Sequence, residues 1–395
     1  MINGSVLAFL FSPTAERVLQ SLTEEDLRPE ATLATLSRLR QHCSPEEAGA
    51  VLTLARLRRR ARAKFSRADR MFFTEEALEQ ATGEVISGYR ARRYRAFAHV
   101  LDLGCGIGGD TIGLARQGCQ VIAIDRDEVR LRMALANAAA NELGTHVKGI
   151  LADLSHVPWQ RRRWPASAAF VDPARREGGR RVFSLRQASP PLDAILAWRE
   201  EVPHLGVKAH PGIDDHEIPQ DCEVEFISER GTCKEAVLWF GDLRTGARRR
   251  ATLLPGEHTL VADRDAPVPI RPPGHFLYEP DGAVIRAHLV ETLARRLGAW
   301  KIDDEIAYLS SDEAVPTPFA RCYPVWEVHP FGLKRLNARL RALQVGDVVV
   351  KKRGSPVDPE AFRRRLRVVP EGRPAVVVLT RSGGEPVMLI CGEAL

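Results

Sequence analysis

Residues 100–110, VLDLGCGIGGD, constrain the chain more than any other stretch. An apolar run ends in an acid, Asp102, and passes at once into a turn carrying Gly104, Gly106, Gly108 and Gly109. Glycines let the backbone turn tightly and approach a ligand closely. A strand, a glycine turn and then a helix make the nucleotide-binding corner of a parallel α/β sheet. Gly104, Gly106 and Gly109 satisfy G-x-G-x-x-G, which nicotinamide- and flavin-binding proteins also carry, so the glycines alone do not choose the ligand. A tight turn with no ligand is the plainer alternative, and four glycines in six residues weigh against it.

The flanking pattern supports such a sheet. From about 98 to 240, strand-like runs (HVLDL, CQVIAID, HVKGILADL, SAAFVDP, LGVKAHPG) alternate with helical ones, among them GDTIGLARQG, DEVRLRMALANAAANELG and PLDAILAWREEV. The series closes on CEVEFISERG and KEAVLWFGDL, which read as a hairpin. Alternation of this kind predicts a mostly parallel sheet covered on both faces. Residues 1–95 have apolar residues at helical spacing, with Ser44 before Pro45, Glu46 and Glu47 as a helix start and Thr74 as another cap. Six basic side chains lie between Arg56 and Lys64, on either a solvated helix or one that contacts phosphates. The domains expected are a helical region over 1–95, the α/β domain over 96–245, a connecting α+β segment over 246–330 with one helix at AVIRAHLVETLARRLG, and a small α+β domain over 331–395.

A length of 395 residues suits two or three domains, and 44% hydrophobic with 27% charged residues is ordinary for a globular chain. No run is long and apolar enough to span a bilayer. The apolar start MINGSVLAFLF has no basic residue before it and is a poor signal peptide. Seven scattered cysteines without C-x-x-C argue against a disulfide framework and against zinc, so the cytoplasm is the expected location and no metal is expected. Residues 331–395 hold 13 Lys and Arg against 6 Asp and Glu, while the rest holds 44 against 45. The basic excess therefore sits at one end, as a nucleic-acid partner or a merely solvated basic surface would both allow.

Acids at strand ends separate the cofactors. Asp102, two residues before the first glycine, would repel a pyrophosphate and suits a cofactor carrying positive charge. S-adenosylmethionine carries an ammonium and a sulfonium. Asp125 ends the second strand, where a carboxylate accepts ribose hydroxyls in either cofactor class. Asp153 follows the third strand and is placed for the adenine amino group. The expected cofactor set is Asp102, Gly104, Cys105, Gly106, Gly108, Asp125 and Asp153.

D-x-G-x-G-x-G with an acid ending the next strand resembles the class I S-adenosylmethionine-dependent methyltransferases, over residues 70–240. The resemblance implies a Rossmann-like seven-stranded sheet that ends in an antiparallel strand. LDLGCGIGGDTIGLA with MFFTEEALEQATGE before it is similar to the trimethylguanosine synthase-like RNA methyltransferases. The tail, with VHPFGLKRLNARL, GDVVVKKRGSPVDPEAFRRRL and PAVVVLTR, resembles the THUMP-like domain, which implies RNA binding.

In related enzymes that methylate exocyclic amines, the fourth strand ends in [DN]-P-P-[FYW]. Here it ends VDPARRE: Asp172 and Pro173 match, Ala174 replaces the second proline, and Arg175 replaces the aromatic. Asp172, Pro173 and Arg175 are the expected catalytic residues. Asp172 orients the acceptor amine, and Arg175 stacks on a base or meets a phosphate. Lys208 and His210 follow at the fifth strand's end, Lys208 as a phosphate contact and His210 more as a structural residue. Cys233 reads as buried. In the tail, Lys351, Lys352 and Arg353, then Arg363, Arg364 and Arg367, are the expected phosphate contacts on structured tRNA or rRNA. The competing functions are a methyltransferase of proteins or small molecules, a non-catalytic RNA-binding protein keeping the fold, and an NAD-dependent oxidoreductase, which Asp102 and the hairpin disfavour.

Overall fold

The glycine turn sits in the middle of five parallel strands: β1 (His99–Leu103), β2 (Gln120–Asp125), β3 (Val147–Leu151), β4 (Ala168–Val171) and β5 (His204–Ala209). Their order is β3-β2-β1-β4-β5. The chain runs outward one way from β1 to β3 and the other way from β4 to β5, so the switch point lies between β1 and β4. Open α/β sheets bind ligands there, beyond the strand C-termini. The computed structural model describes residues 4–156, 166–174, 176–177, 180–181, 184–263 and 266–395. They divide into two units, Met1–Cys222 with Val237–Thr245, and Glu223–Ala236 with Gly246–Leu395.

In the first unit, the helices Gly4–Leu10, Pro13–Gln20, Thr32–Leu39 and Pro45–Ala61 build a core that continues through Met71 and Phe73 to Ile107 and Ile112 of the glycine-loop region and Met133. The long helix starts in a capping box, with Ser44 and Glu47 each bonding the other's backbone N–H. Each of the six basic residues from Arg56 to Lys64 has a partner within the protein. Arg56 donates to the carbonyls of Leu27 and Arg28, and Arg58 donates to that of Met71. Arg59, Arg60 and Arg62 pair with Glu24, Glu75 and Asp69. Lys64 donates to the carbonyls of Leu78, Glu79 and Ala81. Basic side chains at a helix end are used here to satisfy neighbouring carbonyls and acids.

In the second unit, the expected hairpin is β6 (Glu223–Glu229) and β7 (Thr232–Trp239), whose last residues return to the first unit. There the N–H of Phe240 donates to Leu205 of β5 at 2.8 Å. The sheet does not end on this hairpin, as a seven-stranded sheet would. β8 (Arg249–Leu254) runs parallel to β6, and β9 (His258–Val261) pairs antiparallel with β8. RRATLL and HTLV, on either side of the turn at residues 255–257, form these extra strands. The single helix expected near 283–298 is two, Gly282–Arg286 and Val290–Leu297, because His288 takes a left-handed φ of 58° between them.

A second sheet has the order β11-β12-β10-β13-β16-β15-β14, with β10 (Phe276–Pro280), β11 (Trp300–Lys301), β12 (Leu309–Ser311), β13 (Ala320–Pro330), β14 (Val345–Lys352), β15 (Arg373–Ser382) and β16 (Glu385–Cys391). Leu336 and Leu340 of the helix Leu333–Ala342 and Phe362 of the helix Pro359–Arg363 close a core with Val348, Val377 and Ile390. Among the described residues, no helix is long and apolar enough to cross a membrane.

Candidate active site

The end of β1 carries the buried Asp102. Its Oδ2 accepts from the hydroxyl of Thr111, while Oδ1 is buried without a hydrogen-bond partner among the described residues. Burial above all, and then the neighbouring Asp110, push this carboxyl up to about 8. Thr111 and Arg90 oppose the rise, and Asp172 adds to it. Arg90 itself is buried, pairs with Asp110 and lies 4.3 Å from the centre of the Phe170 ring.

Gly104, Gly106 and Gly108 all have positive φ. At Gly104, a Cβ would stand 2.8 Å from the carbonyl oxygen of Asp172. At Gly106, the space a Cβ would occupy is open to 4 Å. The N–H of Gly106 donates to Oδ2 of Asp125 at 2.8 Å, and the N–H of Asp127 donates to Oδ1 at 2.9 Å. Each carboxylate oxygen keeps further acceptor capacity. Beyond β2 and β3 lies a hollow lined by Arg126, Asp127, Leu151, Ala152 and Asp153. Asp153 holds the backbone N–H of Ser155 at 2.9 Å. The Cys105 thiol is buried and held well above its usual range by that burial.

The donor set fits S-adenosylmethionine. An unpartnered buried carboxylate oxygen suits its ammonium, open space over Gly106 suits a close backbone approach, and Asp125 suits ribose hydroxyls. A pyrophosphate would bring no positive charge to favour ionisation of the buried Asp102 carboxyl.

Asp172 follows β4 directly, and its N–H donates to Leu103 of β1 at 3.1 Å. The structure therefore brings Asp102, Gly104 and Asp172 together at the switch point. Pro173 is buried. Ala174 exchanges two backbone hydrogen bonds with Ser189, each 2.9 Å, and a proline there would lose one. That is the physical reason for alanine in the second proline position. Arg175 lies outside the described residues. Lys208 is not a phosphate contact: its ammonium donates to Oδ2 of Asp172 at 2.6 Å and to the Thr82 hydroxyl at 2.9 Å. Nδ1 of His210 accepts from the N–H of Gly212 at 2.9 Å, a loop-holding role. Cys233 lies under Gly282, and burial raises its thiol to about 12.

Two contributors escaped the sequence. Asn137, buried on the helix Glu128–Ala140, donates to the carbonyls of Phe72 and Ile107 and accepts from the N–H of Phe72 at 2.7 Å. It ties the MFF segment to the glycine loop. Thr82 is buried, and its carbonyl would stand 2.7 Å from a Cβ on Gly109. Asn137, set among alanines in MALANAAAN, is a signal for the first, since a buried side-chain amide needs partners. Thr82 had none beyond its place in ATGE.

In the second unit, the tail's basic residues fall into two sets. Lys351 pairs with Glu279 at 2.6 Å, and Arg363 pairs with Asp347 at 3.0 Å. Arg353 lies 5.4 Å from the Tyr308 ring centre. Lys352, Arg364 and Arg367 are exposed. Lys351 and Arg353 line a cleft of about 530 Å³ with His258 and Arg321.

Comparison with known proteins agrees with this geometry. Residues 100–171 match the model of a methyltransferase domain, residues 320–393 that of a THUMP-like domain, and residues 5–61 that of a domain of unknown function. A Mycobacterium tuberculosis protein described as an uncharacterized S-adenosylmethionine-dependent methyltransferase is 39% identical over 337 residues, 83% of this chain and 91% of the relative. A 23S rRNA (uracil(1939)-C(5))-methyltransferase of Acidithiobacillus ferrooxidans is 37% identical over 95 residues, 22% of this chain and 20% of that one. The solved structure of a candidate methyltransferase from Porphyromonas gingivalis W83 superposes with a TM-score of 0.74, covering 99% of this chain and 98% of that one at 20% identity, and so shares its fold. Likeness to the mycobacterial relative over nearly its whole length settles the class. The chain belongs to the S-adenosylmethionine-dependent methyltransferases, with a THUMP-like domain at its C-terminal end.

Proposed function

We propose that this methyltransferase acts on RNA, transferring the methyl group to an exocyclic amine of a base in tRNA or rRNA. The observation that carries the reading is Asp172 at the switch point, against the glycine loop, with Oδ1 free of a hydrogen-bond partner among the described residues. Bound S-adenosylmethionine supplies a methyl carbon to which the acceptor nitrogen bonds as the carbon–sulfur bond breaks, sulfur keeping that electron pair and the nitrogen's proton leaving to solvent. The protein's part is to hold and orient an amine N–H on Asp172, with the Pro173 turn setting the strand end. The THUMP-like domain and the basic excess of residues 331–395 support RNA as the partner. The printed activity of the 23S rRNA relative points the same way.

Nitrogen is favoured over a pyrimidine carbon as the acceptor. A ring carbon is activated by covalent addition of a nucleophile such as a thiolate. β4 runs on into Asp172, Pro173 and Ala174, and β5 ends at Ala209, so neither strand end carries a thiol. The nearby Cys105 is buried and weakly ionised. The role of Arg175 on the base or a phosphate rests on sequence alone, and an Arg175→Ala enzyme of unchanged activity would remove it.

The test is incubation of the protein with tritiated S-adenosylmethionine and total RNA from a strain lacking the gene, followed by nucleoside analysis. Label in one N-methylated nucleoside, lost in Asp172→Ala, is the expected result. Donor binding without label in RNA would refute the RNA reading and turn the search to proteins and small molecules.

A further inference from the structure

Lys208 is the feature that the methyltransferase chemistry described so far does not explain. Its side chain is only 7% exposed, whereas that of its partner Asp172 is 25% exposed. The lysine is the more deeply buried of the two. Lys208 donates to Oδ2 of Asp172 at 2.6 Å and to the Thr82 hydroxyl at 2.9 Å. Thr82 is itself locked, since its backbone packs on Gly109 too closely to admit a Cβ.

An apolar side chain would fill the end of β5 without taking an ammonium out of water, a desolvation that a buried ion pair often fails to recover. The pair is therefore poorly explained as a stabilising device. It is well explained as an orienting one. With Oδ2 engaged from beneath, the carboxylate cannot rotate freely, and Oδ1 is the oxygen left for a partner outside. The charge arrangement fits as well. Asp102 on β1, with Asp110 and Arg90 beside it, feels the carboxylate of Asp172 after β4. Lys208 balances Asp172 and leaves Asp102 to the cation. His210, two residues further on, is turned into its own loop.

We propose that Lys208 is the positioning residue of the methyl-transfer site: with Thr82 it holds Oδ2 of Asp172, so that Oδ1 alone is presented to the acceptor amine. This rests on the reading of Asp172 as the acceptor-orienting group. Lys208 acts through Asp172.

The experiment compares wild type, Lys208→Met, Lys208→Arg, Asp172→Asn and Lys208→Met/Asp172→Asn as full-length proteins. Two readouts need no RNA. S-adenosylmethionine affinity of Lys208→Met should stay within about threefold of wild type. Denaturation of the four members of the cycle should show coupling, with Asp172→Asn relieving much of the loss that Lys208→Met causes. With total RNA from the deletion strain, kcat of Lys208→Met should fall at least tenfold while KM for RNA changes little. Lys208→Arg should recover part of the rate, and the double variant should be no slower than Asp172→Asn alone. An uncoupled cycle, or a Lys208→Met enzyme with wild-type kcat, overturns the proposal. Absence of label with wild type itself would be a failure of the RNA reading, and the RNA-free cycle then decides whether Lys208 governs Asp172.

Discussion

Gly104 and Asp172 lie so close that a Cβ on the glycine would stand 2.8 Å from the aspartate's carbonyl oxygen. The glycine loop and the end of β4 are thus in backbone contact, and a change at one is felt at the other. Gly104→Ala meets both this clash and a φ of 83°, together worth about 1–3 kcal/mol of strain. The expected result is a lower melting temperature with S-adenosylmethionine affinity reduced tenfold or more. Gly106→Ala is the control, since its Cβ enters open space and its φ of 55° carries only a modest penalty. That variant should fold nearly as well as wild type yet bind the donor poorly. Calorimetric binding equal to wild type in Gly106→Ala would remove the donor from this loop.

Asp102 sets a pH dependence with a definite sign. Its carboxyl is raised to about 8 in the folded protein, against about 3.9 in an unfolded chain. Its contribution to stability is fully present below pH of about 4 and is lost as pH rises through about 8. Without donor, wild type should therefore lose more stability than Asp102→Asn across this window. A cation placed on Oδ1 favours the carboxylate, so binding at pH of about 7 should release a proton that Asp102→Asn does not release. Titration calorimetry in two buffers of different ionisation enthalpy measures this directly. Equal proton release by the two proteins would show that the donor's charge is not met by Asp102.

Asn137 ties the MFF segment to the glycine loop through one amide. It bonds both backbone groups of Phe72 and the carbonyl of Ile107 from a buried position on a helix. Asn137→Ala leaves these groups without partners, at a cost of about 1–3 kcal/mol for each that stays buried and unpaired. The expected phenotype is lower stability with faster hydrogen exchange at Phe72, and weaker donor binding because Ile107 belongs to the loop. Exchange at Phe72 unchanged from wild type would show that the MFF segment is held by the Phe73 and Met71 core alone.

The parts of this molecule legible in its sequence are those governed by local rules. β1 and its turn, the Ser44 and Thr74 caps and the acids at strand ends all follow from periodicity and glycine chemistry acting over a few residues. The role of Lys208 is not legible in the sequence because it depends on Asp172 and Thr82, 36 and 126 residues away, and no spacing rule reports such a meeting. The same holds for the arginines of 56–64, whose charge suggested an anion outside but whose partners, Glu24, Glu75 and Asp69, lie within the same helical region. His288 broke an expected helix because the apolar pattern on both sides is helical and a left-handed residue leaves no mark on it. The short strands β8 and β9 are legible as strands, but their addition to the hairpin depends on the pairing of β8 with β6, residues distant in sequence.

The tail's basic residues should not contribute equally to RNA binding. Lys351 and Arg363 are paired with Glu279 and Asp347, whereas Lys352, Arg364 and Arg367 are exposed with no side-chain partner among the described residues. A charge already balanced within the protein adds little to the release of counterions from a phosphate backbone. Each unpaired cation that meets a phosphate contributes about 0.7–0.9 to the slope of log affinity against log salt. Lys352→Ala, Arg364→Ala and Arg367→Ala together should therefore weaken binding to total tRNA, with a slope shallower by about two. Lys351→Ala should change the slope much less, because it frees Glu279 as it removes a cation. Binding measured by filter retention between about 50 and 300 mM salt separates the two. A wild-type affinity that is flat with salt would remove the tail from RNA recognition, and an equal loss of slope in Lys351→Ala would show that the Glu279 pair opens when RNA docks.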